Sequence, residues 1–516
     1  MFCGIDLGTS SVKAAIFLPD GKMVAYARKE CDMVSPRVGW SELNPQNYLE
    51  NVYDVLSAVF NQYKGPVKSI ALSSQAQACL PVDKDGKALY NIIVTMDNRT
   101  IEQYQYWKAN YNEWDVYKKS GVPFSTIYAL NKIMWHKQNN PEIYQRAWKF
   151  LCVQDYVMFK LTGCDPVIDY SLASRSMMLS IADNKWNQSL LAIAKIDIDK
   201  LAKPILSTTV VGKLKRKLSH WLGLSEPCDV IIGGHDQVCG AIGSGVIIPG
   251  MMMDACGTVD AMVTVLNDSK PRKAMMKKGL PIYGLVNLKN YITLAINTNG
   301  GLFLKWYKNT FYGAEMKDFM LRGKDIYSEI INCSADNPSD MYVLPHLEGA
   351  GSPYNDPTSM GAIIGLKSRY NRRDLSKAVL DSLAYEMKLN LLAIEKSTNC
   401  IINEIRIIGG GAKTPKWLQI KADVFNKEIV SLENNEAAVL GAAILGAIGI
   451  GYFSDIKQAI AQMVKPKRRY IPIEKNVAKY EEHFEEYQEI YKILKPLNKK
   501  YLIELINNRE GIIWQC

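Results

Sequence analysis

Paired cysteines, a metal cage, a dinucleotide fingerprint and a membrane-length apolar run are all missing from this sequence. Its eleven cysteines, at 3, 31, 79, 152, 164, 228, 239, 256, 333, 400 and 516, are odd in number and form no CxxC pair. That scatter argues against a zinc site or a disulfide framework and fits free thiols in a reducing compartment. The five histidines are isolated, so no His-rich cage is expected. No GxGxxG occurs, which counts against a Rossmann site, and Gly411-Ala-Lys-Thr414 lacks the glycine that a Walker A loop places directly before its lysine. The seventeen residues Ala437 to Phe453 carry no charge but contain Gly441, Gly446, Gly449 and Gly451. They fall short of the ~20 residues that cross a bilayer, and a buried helix packed through its small residues is expected instead. The opening Met1-Phe-Cys-Gly-Ile-Asp6 sets an acid where a signal peptide needs its apolar core, which points to the cytoplasm.

What remains is a chain of 516 residues, 48% hydrophobic and 22% charged, long enough for several domains with cores of their own. Lys and Arg number 62 against 52 Asp and Glu, a net charge of +10. The densest basic run, Lys465-Pro-Lys-Arg-Arg469, has no aromatic-rich strand or recognition helix beside it. It reads as a solvated patch, and neither nucleic acid nor a membrane is an expected partner. Whether the chain forms a homodimer is left open.

Along the chain, apolar strands alternate with helical segments, which argues for an α/β protein with helix-covered mixed sheets. Phe2 to Asp20 reads as strand, small-residue turn and strand, and the phrase recurs. Met251-Met-Met253 leads into Asp254-Ala-Cys-Gly-Thr258 and then Val259 to Val265. Each copy sets an Asp at the end of an apolar strand and Gly-Thr in the turn, so two related lobes are expected, with their boundary near Ile247 to Pro249. The expected division is 1–247, 248–460 and a helical extension 461–516. Asp229-Val-Ile-Ile232 reads as a strand before a glycine-rich turn, and Arg406-Ile-Ile408 as one before Gly409-Gly-Gly411 and a helix from Pro415. From about Val477, Tyr480, Tyr487 and Tyr491 fall at helical spacing and suggest a docking face.

Three turns are candidates for phosphate, because backbone N–H groups there are unshielded by side chains: Gly8-Thr-Ser-Ser11, Gly257-Thr258 and Gly409-Gly-Gly-Ala412. Each alone is more often an ordinary tight turn, and it is the shared context of strand, acid or glycine and turn that lifts them. Asp6 beside the first could hold Mg²⁺ through waters or simply cap the turn. Asp236 in Gly233-Gly-His-Asp-Gln237 stands where it could take a proton from a hydroxyl. His235 reads as a packed histidine.

In this order the motifs resemble those of the FGGY carbohydrate kinases. Asp6-Leu-Gly-Thr-Ser-Ser-Val-Lys13, Gly233 to Gln237, Asp254 to Thr258 and Gly409 to Lys413 all match. The longest match is Gly361-Ala-Ile-Ile-Gly-Leu366 followed by Asp374-Leu-Ser-Lys-Ala-Val-Leu-Asp381. Shorter ones are Gly39-Trp-Ser-Glu42, Asp155-Tyr156 with Leu161-Thr-Gly163, and Asp169 with Ser171 and Ala173-Ser174.

The resemblance implies a two-lobed actin-like fold of duplicated ribonuclease-H-like domains, and transfer of the ATP γ-phosphate to a hydroxyl of a sugar or polyol with Mg²⁺. By the same resemblance Gly8, Thr9, Ser10, Ser11 and Lys13, with Gly257 and Thr258, hold phosphates. Gly301, Gly410, Gly411, Ala412 and Lys413 line the nucleotide pocket. Asp236 is the general base and Asp6 the acid near the metal. Gln75, Ala76, Gln77, Asp97, Arg99, Asp236 and Gln237 meet the sugar. The departures lie on the substrate side: Thr95 where the family commonly has Trp, Gln75-Ala-Gln77 where pentulose kinases often have Gln-Met-His, Ile168 for Thr and Met360 for Arg. A ketopentose such as xylulose is the expected substrate, with other ketoses, tetritols and sugar acids as alternatives. From other classes, an actin- or chaperone-like ATPase and a silent sugar-responsive binding protein are the rivals.

Overall fold

Both predicted Asp-turn hairpins form, and each seeds a sheet. In the computed structural model, which describes residues 1–285 and 290–508, the first hairpin is β1 (Phe2–Leu7) and β2 (Ser11–Phe17), extended by β3 (Met23–Glu30). Helix α1 (Pro45–Gln62) starts with proline at its first position and Asn44 capping the N–H groups of Gln46 and Asn47, and it packs an apolar face on β2 and β3. Strands β4 (Ser69–Ser74), β5 (Val210–Lys213) and β6 (Asp229–His235) complete a six-stranded sheet in the order β5-β6-β4-β1-β2-β3, with β1, β4 and β6 parallel. Helix α2 (Asp236–Ser244) leaves β6 directly.

The second sheet repeats this plan. Hairpin β7 (Met251–Cys256) and β8 (Asp260–Leu266) is followed by β9 (Tyr283–Gly284) and β10 (Tyr291–Asn297). After helices α3 (Gly300–Phe311) and α4 (Arg372–Thr398), β11 (Glu404–Gly409) and β12 (Glu428–Leu432) lie parallel to β7, with α5 (Pro415–Phe425) between them in sequence. In each sheet a hairpin carries an antiparallel strand on one side and two parallel strands on the other, as the recurring phrase predicts.

Helix α6 (Ala437–Gly449) follows β12 yet packs on β1, β4 and β6 of the first sheet, while α2 reaches back to β7 and β11 of the second. The two helices therefore cross between the sheets and share one apolar cluster, with Val439, Leu440, Ile444 and Leu445 of α6 buried to within 1%. Each such side chain contributes ~1.5 to 3 kcal/mol by leaving water. The approach is possible only through glycine: a Cβ at Gly441 would lie 1.8 Å from the Cys239 carbonyl oxygen, and one at Gly243 1.9 Å from that of Ala437. Gly441→Ala should therefore cost ~3 kcal/mol or more, read as a lowered urea midpoint, and an unchanged midpoint would contradict this packing. No helix among the described residues is long and apolar enough to cross a membrane.

Three sequence expectations need correction. The strand from Asp229 does not stop at a glycine turn. It runs through Gly233 and Gly234 to His235 over an irregularity in its pairing with β4, where Gly233 has φ +73° and a Cβ would meet the Leu72 carbonyl oxygen at 1.7 Å. Asp254 does not end its strand: Cys256 pairs with Asp260 as Leu7 pairs with Val12, so Ala255, not Asp254, matches Asp6. A shift of one residue turns a side chain to the other face, and Asp254 points into the protein. The basic run Lys465 to Arg469 is exposed, as expected of a solvated patch, and most of it lies in β13 (Pro466–Tyr470), an edge strand paired with β12, where exposed charges guard against further pairing. The segment 461–516 is thus not only a helical extension, since it supplies this strand before α7 (Glu474–Asn508).

The tyrosines of α7 dock on the protein's own core: Tyr480, Tyr487 and Tyr491 are buried and donate to Asp381, Glu386 and Asp356. The longest family match proves structural in the same way. Asp374 closes the capping box of α4, and Lys377 pairs with Asp381 and bonds Tyr480, tying α4 to α7. The ten described cysteines are free thiols, and Cys516 lies outside the described residues.

Candidate active site

Parallel strands deliver their chemistry at their carboxyl ends, and the sequence places small and polar residues there in both sheets. In the first, β1 ends in Asp6 and the Gly8 turn, β4 in Gln75-Ala-Gln77, and β6 in His235 and Asp236. In the second, β7 ends in the Gly257-Thr258 turn, β11 in the single 3₁₀ turn Gly410–Lys413, and β12 in Glu433 to Glu436.

Two contacts bring these ends face to face. Lys13 Nζ on β2 pairs with Glu436 Oε2 at 2.7 Å, just before α6. Tyr283 of β9 packs its ring 5.5 Å from that of His235. A cavity of about 690 Å³ opens beside the Lys13–Glu436 pair, with Lys413, Asn434, Asn435 and Tyr26 on its wall.

Asp6 accepts from Ser73 Oγ at 2.8 Å through Oδ1, while among the described residues no hydrogen bond reaches Oδ2. Burial raises its pKa to about 6, with Lys13 pulling it down and the neighbouring Asp236 pushing it up. Thr9 Oγ1 donates to Gln75 Oε1 at 2.7 Å, and Tyr48 holds the Gly8 carbonyl at 2.9 Å, so the first turn is anchored from two sides. Ser10 is exposed at the tip, whereas Ser11 is already a buried strand residue.

The tip of the second hairpin, Gly257 to Val259, is exposed. Behind it, Gly301 N and Leu302 N donate to the carbonyls of Gly257 and Thr258 at 3.0 Å each, and a Cβ on Gly301 would meet the Gly257 oxygen at 2.2 Å. Gly301 thus seats the first turn of α3 against the hairpin. Beneath lies a buried polar cluster in which Lys421 Nζ of α5 meets Asp254 Oδ2 at 2.5 Å and Cys256 Sγ at 2.9 Å. Asp260 shares this cluster, and burial raises its carboxyl to about 7. Gly410 and Lys413 are exposed, Gly411 is half-buried, and Ala412 is buried.

In the first sheet, the bulge at Gly233 carries His235 and Asp236 past the end of β4. Asp236 opens α2, where an acid in the first turn is favoured, and about a third of its side chain is exposed at 31%. His235 Nε2 lies 3.0 Å from its Oδ1, and the His235 backbone N–H is held by Ser171 Oγ at 2.8 Å. Asp169 supports this from behind by accepting from Ser171 N, Leu172 N and Ser207 Oγ. Gln77 sits in the left-handed region at φ +62°, pinned by Lys132 Nζ, which donates to the carbonyls of Gln77 and Val94 at 2.8 and 2.9 Å. Burial lowers the Lys132 pKa to about 8. Thr95 Oγ1 donates to the Ala76 carbonyl at 2.6 Å. With its amide oriented to satisfy its neighbours, Gln77 Oε1 accepts from Arg175 Nε and Nη2 at 2.9 and 2.7 Å.

Asp97 and Arg99 do not join this wall. The Asp97 side chain is fully buried and accepts from Ser41 N, Arg99 N, Arg99 Nε and Arg99 Nη2, while Arg99 also pairs with Glu42 at 2.7 Å and stacks 3.9 Å over Trp40. Every oxygen of Asp97 is spoken for, so the expected direct contact with a sugar gives way to scaffolding of the loop before Ile101.

Of the buried polar atoms that find no hydrogen-bond partner among the described residues, four lie together here: Gln75 Nε2, Gln237 Oε1, His235 Nδ1 and the Tyr283 hydroxyl. Such atoms are costly, and their gathering around Asp236 marks a place for a ligand rich in hydroxyl groups. Arg175, Tyr283, Lys132 and Glu436 were not singled out from sequence. Arg175 follows directly on the matched Ala173-Ser174, but nothing in the sequence points to Tyr283.

Comparison with known proteins agrees. Residues 1–243 match the N-terminal domain of the FGGY family of carbohydrate kinases, and residues 271–450 match its C-terminal domain. The chain is 28% identical to the xylulose kinase of Bacillus subtilis over 500 residues, which is 96% of this chain and 97% of the relative. It is 27% identical to the gluconokinase of the same organism over 481 residues, covering 92% and 93%. In structure it resembles the ligand-bound xylulose kinase of Lactobacillus acidophilus with a TM-score of 0.87 at 24% identity, over 97% of this chain and 99% of that one. With two actin-like lobes meeting over Asp6 and Asp236, and with both family domains matched along its length, this chain belongs to the FGGY carbohydrate kinases and is an ATP-dependent sugar phosphotransferase.

Proposed function

We propose that the chain phosphorylates a ketopentose such as xylulose, with Asp236 as the general base. The observation that carries this reading is Asp236 itself: a part-exposed carboxylate beside the buried, unpartnered polar atoms of Gln75, Gln237, His235 and Tyr283. A substrate held by those atoms would present one hydroxyl to Asp236, which orients it and takes its proton as the γ-phosphoryl group arrives. The xylulose kinases among its relatives support the choice of sugar.

In this reading 1–247 carries the sugar and the first phosphate turn, and 248–460 carries the nucleotide. Backbone N–H groups of Gly8 to Ser11 and of Gly257-Thr258 face the phosphates from the two lobes. Lys13 is close enough to Asp6 to affect its charge and adds a cation. Asp97 and Arg99 act as positioning residues for the loop that carries Thr95. Mg²⁺ fits the site in one way: Asp6 offers a single carboxylate with a free Oδ2, and no cluster of three metal-ligating side chains occurs among the described residues. That suits a hydrated ion carried on the phosphates, which when bound would neutralise their charge.

The test is a coupled ADP assay over ketoses, polyols and sugar acids, with the product's phosphate position read by NMR. A ketopentose should give the highest kcat/KM. A sugar acid or tetritol leading by tenfold would overturn the ketopentose assignment while leaving the kinase in place.

A further inference from the structure

We propose that Arg175 sets the substrate preference of this kinase, its guanidinium receiving a carbonyl or carboxylate oxygen at the end of the substrate remote from the hydroxyl that Asp236 faces. The inference rests on the reading of Asp236 as the base of a sugar kinase.

Arg175 is 4% exposed, and among the described residues no carboxylate lies within ion-pair distance of it. The contrast with Arg99 is direct, since that equally buried guanidinium is neutralised by Asp97 and Glu42. A buried cation without a counter-charge is costly, and it is retained where something electron-rich comes to meet it.

The surroundings of Arg175 belong to the site. Its Nε and Nη2 converge on Gln77 Oε1, and among the described residues no hydrogen bond engages Nη1. Its Cζ lies 5.2 Å from the ring centroid of Tyr283, whose hydroxyl is buried and has no hydrogen-bond partner among the described residues. From Tyr283 the wall continues to the His235 ring at 5.5 Å and to Asp236. One end of this wall therefore takes a proton and the other offers a hydrogen-bond donor with a full positive charge. The planar guanidinium suits an sp² oxygen, with Tyr283 O–H as a second donor. A chain with a hydroxyl at one end and a ketone or a carboxylate at the other fits both.

Two sources share that chemistry, a 2-ketose and an aldonate, and three five-carbon compounds separate them: xylulose, xylonate and xylitol, the last with no carbonyl carbon. ADP release and calorimetric binding would be measured for wild type, Arg175→Met and Arg175→Lys. Losing a charged hydrogen bond to the substrate should cut kcat/KM for the preferred oxidised compound by ~50-fold, mainly through KM, and change the value for xylitol by less than ~3-fold. The Lys variant should recover part of the loss, more for xylonate than for xylulose, because an ammonium keeps the charge but not the fork. The oxidised compound that loses more identifies the source.

Equal losses on all three compounds would overturn the proposal, as would an unchanged ratio of oxidised compound to xylitol. Should none of the three raise ADP release in wild type, the choice of a five-carbon substrate fails, while the binding ratios still decide the role of Arg175.

Discussion

Asp236→Ala should lower kcat for sugar phosphorylation by ~10³-fold while leaving the KM for ATP within ~3-fold of wild type. The side chain is part-exposed and, among the described residues, its close polar partner is His235 Nε2 at 3.0 Å, so its removal strips one contact from a buried imidazole and no other. The thermal midpoint should therefore fall by only a few degrees, which separates lost chemistry from lost structure. Asp236→Asn keeps the shape and a hydrogen bond to the sugar but offers no base of comparable strength, and it should be nearly as slow. Because general-base assistance is realised only as the hydroxyl is attacked, the loss should fall on kcat rather than on sugar affinity. Asp6 lies close enough for its own carboxyl to feel Asp236, and removing that charge should ease the ionisation of Asp6. A loss of less than tenfold in either variant would mean that another group takes the proton.

The largest effect on stability is expected from Lys421→Met. Lys421 is fully buried on α5, with Asp254 at 2.5 Å and Cys256 at 2.9 Å, and Asp260 lies in the same cluster. Methionine matches the stem but leaves the acids without their cation, a change that costs ~3 to 5 kcal/mol. The urea midpoint should fall accordingly. Adding Asp254→Leu should restore at least half of the loss, because removing both partners of a buried pair costs far less than removing one. The cluster underlies the hairpin carrying Gly257 and Thr258, so the single variant should also raise the KM for ATP. A loss below ~1 kcal/mol would show that the pair adds little to the second lobe.

Why the fold was legible in part follows from particular residues. The two hairpins are local: an apolar run, a glycine turn and a second run specify themselves, and so does the helix that proline opens at 415. The strand through Gly233 and Gly234 is hidden in the sequence, because paired glycines signal a turn unless a neighbouring strand needs close approach, and the nearness of Leu72 is a tertiary fact. Asp254 looked like Asp6 because the motifs align, but one extra residue before the glycine reverses the face on which it lies. The basic strand at 466–470 has no apolar alternation, since an edge strand with both faces wet needs none. In the site, Asp6, Asp236 and the glutamines follow their strands and are found by motif. Arg175 and Tyr283 are brought together from chain segments a hundred residues apart, and their meaning lies in partners they lack.

The most direct measurement is ADP release by the wild-type protein with ATP and Mg²⁺, in the presence and absence of sugar, beside Asp236→Asn. The account predicts slow release without sugar, a rise of at least ~100-fold with a ketopentose, and no comparable rise in the variant. ADP release that is equally fast with and without sugar, or a sugar-stimulated rate that survives in Asp236→Asn, would contradict it.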